Sequence, residues 1–409
     1  MNFKALHLIS PILQALEEEG YSQPTPIQVQ AIPEVLQGRD LLASAQTGTG
    51  KTAAFALPIL QLLHQQTTTA PPTIRALILT PTRELASQVA ESFAAYGRYT
   101  GLKHLAVYGG VPYKVQTEAL QAGIDILVAT PGRLLDLLDQ GFVDLKQVQL
   151  LVLDEADRML DMGFVQDIQR VLQVIPEKRQ TLFFTATMAP EVAKLAKKIL
   201  TAPVNVEVSP ASSPAGTIRQ ELYYVKKANK TPLLLYLLQQ ASRARTLVFM
   251  RTKEGADKLA KELNAAGIAA EAIHADRAQR DRERVLESFK QNETQVLVAT
   301  DVAARGIDVE ELPYVINYEL PFEPETYVHR IGRTGRAGAA GIAISFCGAS
   351  ETPLLIAIQN LTGKAIPVVD QHPYPLTAQD FMEAASSSSA KSEKRKGAGR
   401  GGKGKRGRR

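Results

Sequence analysis

The sequence predicts two α/β domains in tandem, each built on a doubly wound parallel sheet, followed by a disordered basic tail. Three observations carry that prediction. Short runs of Leu, Ile and Val alternate with stretches of helical period through most of the chain, the pattern of buried parallel strands joined by crossover helices. The alternation breaks once, at Ser-Pro-Ala-Ser-Ser-Pro-Ala-Gly over residues 209–216, and then resumes. The length of 409 residues also exceeds what one hydrophobic core ordinarily organises.

The first domain is placed at residues 1–208, with strands expected at 41–45, 76–80, 104–108, 126–129, 150–153 and 182–185. Helical patterns such as 84–99 and 190–200 fill the gaps. Residues 209–217 form the expected flexible linker. The second domain, 218–376, repeats the design with strands expected at 246–250, 269–273, 295–299, 314–317 and 342–346 and helices such as 254–265. From residue 377 to 409 the pattern is lost to a serine run and then to Gly, Lys and Arg, the composition of a disordered tail.

Composition excludes several classes. Hydrophobic residues make up 45% and charged residues 22%, which is globular rather than fibrous or disordered. The single cysteine, Cys347, excludes an intrachain disulfide framework, and no histidine has zinc-ligand spacing with it. No apolar run approaches the ~18–20 residues needed to cross a bilayer. The opening residues lack the small-residue cleavage site of a signal peptide. A cytoplasmic protein is expected. The net charge of +5 suggests an acidic partner, but it is unevenly placed. Residues 391–409 hold ten basic side chains and one acid, leaving 37 basic against 41 acidic side chains in the rest of the chain. Any nucleic-acid affinity of the body must therefore come from local placement.

The sharpest chemical signal is Ala45-Gln46-Thr47-Gly48-Thr49-Gly50-Lys51-Thr52, between an expected strand and an expected helix. Glycines at 48 and 50 let successive backbone N–H groups turn toward an anion, and the helix N-terminus adds positive potential. Lys51 suits the outer phosphates of a nucleotide and Thr52 suits Mg²⁺. A second metal anchor stands at the tip of another strand, where four apolar residues end in Asp154-Glu155-Ala-Asp157. Asp154 suits Mg²⁺ through water, and Glu155 suits the positioning and deprotonation of an attacking water. The two elements together indicate a nucleoside triphosphatase.

Asp154-Glu-Ala-Asp157 with the phosphate loop resembles the DEAD-box RNA helicase family; within it, the compact core, the Glu-Leu-Pro after Asn317-Tyr318 and the basic end most resemble the bacterial RhlE-type group. The resemblance covers about residues 3–366. It implies two RecA-like domains, ATP and Mg²⁺ as substrate and metal, and RNA, single-stranded or as short duplex, as partner. Gly20-Tyr21-Ser-Gln-Pro-Thr-Pro-Ile-Gln28 resembles the family's adenine-reading motif, and Phe3 lies seventeen residues before Gly20. Gln28 would pair with the adenine edge and Phe3 would stack on the ring. Pro81-Thr-Arg83-Glu-Leu-Ala, Gly109-Gly110 and Thr130-Pro-Gly-Arg133-Leu resemble the loops that grip a sugar–phosphate backbone. Thr185-Ala-Thr187 stands where the family has Ser-Ala-Thr, and its first hydroxyl could bond Asp157 to couple the two activities.

In the second domain, Tyr-Val-His329-Arg-Ile-Gly-Arg333-Thr-Gly-Arg336 is the densest basic cluster of the body. Spaced three apart, Arg333 and Arg336 fit one helical face. The resemblance makes them arginine fingers, worth roughly 10³–10⁵ in rate, and gives His329 a coupling role. It further assigns Arg251, Gln279, Arg282 and Thr300 to RNA and Asp308 to the ATP ribose. The implied activity is RNA-stimulated ATP hydrolysis coupled to domain closure and local, sequence-independent duplex unwinding. An ATP-gated RNA clamp and a DNA translocase are the alternatives. Ribosomal or RNA-degradation complexes are possible settings.

Overall fold

The computed structural model describes residues 2–45, 48–66, 72–208, 218–240, 244–304, 312–335, 341–380 and 382. These fall into two compact units, one holding the described residues through 208 and the other those from 218 onward. The expected linker, 209–217, and residues 383–409 of the expected tail lie outside the described residues.

The first unit is built on seven strands: β1 (Leu41–Ser44), β2 (Ala76–Leu79), β3 (His104–Val107), β4 (Ile126–Ala129), β5 (Leu150–Leu153), β6 (Gln180–Thr185) and β7 (Val204–Glu207). They run in the order β3-β4-β2-β5-β6-β1-β7, and every pairing is parallel. Central strands such as Ala-Leu-Ile-Leu of β2 and Leu-Leu-Val-Leu of β5 are buried along their whole length, because helices cover both faces. Helices Ser10–Glu18, Pro26–Leu36, Lys51–Gln65 and Arg83–Gly97 pack a core on one face around Phe55, Phe93 and Phe184. Helices Pro131–Asp139, Val165–Val174 and Pro190–Ile199 pack the other around Leu77, Leu151 and Phe183.

The second unit holds β8 (Ile218–Tyr224), β9 (Thr246–Met250), β10 (Ala270–Ile273), β11 (Val296–Thr300), β12 (Tyr314–Asn317) and β13 (Gly341–Cys347). Their order is β10-β11-β9-β12-β13-β8, again all parallel. Laid on β1–β6, the strands of the second sheet repeat the order of the first. Among the described residues no helix is long and apolar enough to cross a membrane.

Two strands escape the sequence pattern, and both lie at sheet edges. β7 has only four residues, in which exposed Asn205 and Glu207 alternate with Val204 and Val206. β8 carries Arg219, Gln220 and Glu221, because only β13 flanks it as a full strand. An edge strand buries less, so its apolar signal is diluted.

The open edge of β8 is covered by residues 367–376 of the same chain. Leu222 donates to Pro367 O (2.8 Å) and accepts from Val369 N–H (2.9 Å), and Leu376 N–H reaches Tyr224 O (3.2 Å). His372 packs edge-on against Tyr223. The fold thus runs past the boundary expected at residue 377. Asp380 ends this strap: one carboxylate oxygen meets Lys226 Nζ at 2.7 Å, and the other accepts from Thr377 N–H and its hydroxyl, both at 2.9 Å. The Lys226 ammonium, followed by the Thr377 N–H, pulls the Asp380 carboxyl down to about 2. A carboxyl depressed in the folded state lends stability that is complete above its ordinary value of 3.8 and is lost as pH falls toward about 2. Hydrogen-exchange protection of the Val369 and Leu376 amides should therefore hold from neutral pH to that ordinary value and drop below it. In Asp380→Asn the protection should already be reduced at pH 7.

Candidate nucleotide and nucleic-acid site

Parallel register places one end of every strand at a common edge. Ser44 lies beside Thr185, and Leu79 lies beside both Ala129 and Leu153. The loops that begin at Ala45, Thr80, Thr130, Asp154 and Ala186 consequently leave the sheet side by side. This is the carboxyl edge where open α/β sheets bind ligands.

Ala45 N–H donates to Thr185 O (3.0 Å) and ties the start of the phosphate loop to β6. Gly48 and Gly50 take φ of +82° and +90°, in the left-handed region that favours glycine. A Cβ at Gly50 would stand 2.4 Å from Gln28 Nε2. The helix opens at once on Lys51, and Thr52 follows, half-buried. Thr49 is half-buried in the same turn, whereas Gln46 and Thr47 lie outside the described residues.

Gln28 is buried, and its amide bridges two loops. Its Oε1 accepts from Thr25 N–H (3.0 Å), and its Nε2 donates to Gly50 O (3.1 Å). One N–H and one lone pair remain for a ligand edge. Phe3 and Tyr21 line a common cleft of about 620 Å³. Phe3 is 5% exposed and packed into the core, whereas Tyr21 is 47% exposed and stands edge-on to Tyr96. Tyr21 is thus the more open ring of the two.

At the end of β5, Asp154 N–H donates to Leu79 O (3.0 Å), which turns the chain into the carboxylate cluster. Glu155 adopts φ +52° and ψ +51°, a left-handed conformation costing about 1–3 kcal/mol in a non-glycine residue. Its Oε2 meets Arg158 Nη1 at 2.7 Å. Burial pushes the Asp154 carboxyl up to about 6, Lys51 opposes that shift, and Glu155 adds to it. Lys51 Nζ and Asp154 Oδ1 are sealed from solvent, with no hydrogen-bond partner among the described residues. A buried ammonium and a buried carboxylate oxygen, both with unspent valence at a glycine turn, fit a nucleotide phosphate and a hard divalent cation.

Asp157 joins this cluster to the loop after β6. Its Oδ2 accepts from Ala186 N–H (3.1 Å), Thr187 N–H (2.9 Å) and Thr187 Oγ1 (3.0 Å). The hydroxyl that contacts Asp157 belongs to Thr187, not to Thr185, which the sequence had suggested. Thr185 instead donates to Thr187 O at 2.7 Å and shapes the turn.

The expected backbone-gripping residues of the first unit share its carboxyl edge. The Arg83 guanidinium lies over Gly109, where a Cβ would approach it to 3.2 Å. Gly110 takes φ +87°. Arg133 donates to Val111 O and Gln116 Oε1, both at 3.0 Å, and stacks on Tyr113 at 4.1 Å, so it braces the glycine loop from behind. Thr130 is buried at the start of helix Pro131–Asp139.

In the second unit, Thr300 is buried at the end of β11. Gln279 and Arg282 are buried at the start of helix Gln279–Lys290, where Gln279 Nε2 donates to Glu283 (2.9 Å). Arg251 turns inward, with Nη2 at 2.6 Å from Glu351. His329 is half-buried in helix Pro324–Ile331. The expectation of one helical face for Arg333 and Arg336 is corrected: that helix ends at Ile331, Gly332 caps it, and Gly335 takes φ +69°. Arg333 is 8% exposed, just past the helix end. Arg336 and Asp308 lie outside the described residues.

Two residues matter here that the sequence reading left aside. Arg158 holds the Glu155 carboxylate, and the acid–base spacing of three at a helix start was its available signal. Arg330, quoted only as part of the basic cluster, is 1% exposed. It binds both oxygens of Asp301 (2.6 and 2.8 Å), Asn317 Oδ1 (3.0 Å) and Glu319 O (2.7 Å). It fastens the turn after Thr300 to the helix that carries His329.

Gly50→Ala tests the geometry of the loop. The added methyl meets Gln28 and the backbone is forced into a left-handed strain of about 1–3 kcal/mol, so nucleotide affinity should fall about tenfold or more. Titration with a fluorescent ATP analogue reads this directly. Affinity equal to the parent protein's would show that neither Gln28 nor the turn sets the loop.

The chain matches the family model described as DEAD/DEAH box helicase over residues 25–195. The model for the helicase conserved C-terminal domain matches residues 229–338. It is 42% identical over 358 residues to the DEAD-box ATP-dependent RNA helicase RhpA of Helicobacter pylori, covering 88% of this chain and 72% of that one. With the ATP-dependent RNA helicase DeaD of Mycobacterium tuberculosis it shares 44% over 374 residues, covering 90% and 65%. Among solved structures it resembles Saccharomyces cerevisiae Dbp5 bound to RNA and ADP BeF3, with a TM-score of 0.81, 32% identity, and coverage of 90% and 95%. A phosphate loop, a strand-tip carboxylate cluster and a repeated parallel sheet, matched along both halves by these models and relatives, place this chain in the DEAD-box family of ATP-dependent RNA helicases.

Proposed function

We propose that the protein couples ATP hydrolysis to local, sequence-independent separation or remodelling of short RNA duplexes. The observation that carries this reading is the triple hydrogen bond from the Ala186–Thr187 loop to Asp157, two residues from the candidate base. A change at the phosphates has a direct covalent and hydrogen-bonded route into a neighbouring strand-end loop. The Dbp5 neighbour, bound to RNA and ADP BeF3, supports the same pairing of ligands.

In this reading Lys51 and Thr52 hold the outer phosphates and Mg²⁺, with Asp154 as the second anchor. The metal supplies charge neutralisation at the phosphates. Glu155, oriented by Arg158, takes the proton of the attacking water. Arg333 and Arg336 neutralise the charge that develops on the transferred phosphoryl group. Because these arginines belong to the second unit, turnover requires a closed form that ATP and RNA jointly favour. Arg83, Arg133, Thr130, Thr300 and the Gly109-Gly110 amides offer donors to phosphate and sugar rather than to base edges. With no tryptophan and aromatic residues at 6% of the chain, the composition favours sugar and phosphate contacts over base stacking.

Glu155→Gln should lower RNA-stimulated phosphate release by at least about 10²-fold while ATP and RNA binding persist. Single-turnover phosphate release and RNA-binding titrations measure the two halves, and a parental rate would remove Glu155 from the role of base. Strand separation in the parent protein should track phosphate release; release without separation would favour an ATP-gated clamp. Removal of residues 385–409 takes away ten basic side chains. The slope of log affinity for RNA against log salt should flatten by at most about 7, at ~0.7 per phosphate contact, with ATP chemistry retained.

A further inference from the structure

The second sheet repeats β1–β6 of the first strand for strand, and the repeat reaches the places where the first unit builds its phosphate site. β8 stands where β1 stands, β12 where β5 stands, and β13 where β6 stands. Beyond β1 the helix opens on Lys51-Thr52; beyond β8 a helix opens on Lys230-Thr231. Beyond β5 comes Asp154-Glu155; beyond β12 comes Tyr318-Glu319. Between these ends of the second sheet lies a crevice of about 1020 Å³.

The crevice lacks the glycine turn of a phosphate loop. Residues 225–229, Val-Lys-Lys-Ala-Asn, contain no glycine and no positive φ, so their N–H groups do not converge as a phosphate nest. The place of an anion is nevertheless filled. Glu351 Oε2 accepts from Lys230 Nζ at 2.6 Å and from Gly348 N–H at 3.0 Å, while Oε1 accepts from Arg251 Nη2 at 2.6 Å. A helix-opening lysine, an arginine and a strand-end amide converging on one anion are the donors of a phosphate site. Lys230 is 3% exposed and Glu351 8%, and Lys230 Nζ also donates to Tyr318 O at 2.9 Å, so both buried charges are met by several partners.

We propose that this crevice is an anion site, at the place equivalent to the first unit's phosphate loop, occupied by the protein's own carboxylate, with Glu351 as the internal anion and Lys230 as its lysine. The pair also positions Arg251, whose N–H reaches Glu319 (2.9 Å) and whose guanidinium lies 4.8 Å from the centre of the Phe322 ring. Lys230 and Glu351 are thereby positioning residues for the loop after β9. The effect on RNA rests on the function proposed above; the anion assignment does not.

Inorganic pyrophosphate is the probe, read by hydrogen exchange in peptides covering residues 226–240 of the full chain. In Glu351→Ala, exchange there should rise on the order of 100-fold, and pyrophosphate should restore most of the protection. The parent protein should show no change in these peptides, and Lys230→Met/Glu351→Ala no restoration. Glu351→Gln, which keeps the shape and loses only the charge, provides the same measurement if the alanine variant does not fold. Pyrophosphate protection that appears equally in the parent protein, persists without Lys230, or is absent from both Glu351 variants overturns the assignment. In Glu351→Gln, the RNA concentration for half-maximal ATPase stimulation should rise about tenfold with the ATP requirement unchanged. An unchanged RNA requirement overturns the positioning role. No RNA stimulation in the parent protein would instead count against the proposed function.

Discussion

Every strand pairing in both sheets is parallel, and that constraint places the functional loops. A parallel strand cannot return through a short hairpin, so each strand needs a crossover helix and each sheet is covered on both faces. What remains open is the carboxyl edge. In the first unit Ala45, Asp154 and Ala186 emerge there within neighbouring register positions. Residues far apart in sequence become one site because their strands are adjacent, not because their loops seek each other.

The same edge concentrates charges that a hydrophobic core would reject, and the two units treat them differently. Arg330 donates two hydrogen bonds to Asp301 and one each to Asn317 Oδ1 and Glu319 O, so this pair is a rigid joint. Lys51 and Asp154 keep polar atoms without partners among the described residues, and burial raises the Asp154 carboxyl. Buried charged groups without hydrogen-bond partners are costly. Their retention at a glycine turn is what distinguishes a ligand site from a structural ion pair. Glu155 adds a second cost of the same kind in its left-handed backbone.

Much of this was legible in the residues. Central strands announced themselves because full burial demands continuous apolar runs, as in Leu-Leu-Val-Leu of β5. β7 and β8 did not, because polar residues interrupt their apolar runs, as in Val-Asn-Val-Glu and Ile-Arg-Gln-Glu. The phosphate loop and carboxylate cluster were readable since their backbone turns require particular residues. Which hydroxyl meets Asp157 was not: Thr185 and Thr187 differ only in how the turn after β6 folds back. Arg251 and Arg330 were likewise opaque, since an arginine's sequence context does not reveal whether it faces solvent or a buried carboxylate. The helical spacing of Arg333 was misleading because Gly332 ends the helix first.

The charge balance follows from the same geometry. The chain is basic only through residues 391–409, and the remainder carries four more acids than bases. Several body arginines are already committed to internal partners: Arg158 to Glu155, Arg251 to Glu351 and Arg330 to Asp301. Bulk charge therefore says little about where a polyanion would bind. The repeated fold sharpens the contrast, because two lysines at equivalent helix starts have opposite surroundings. Lys51 follows a turn in which Gly48 and Gly50 free the backbone amides. Lys230 follows a glycine-free turn and meets Glu351. A phosphate site is thus specified less by its lysine than by whether the neighbouring backbone is free to turn and no internal anion has taken the place.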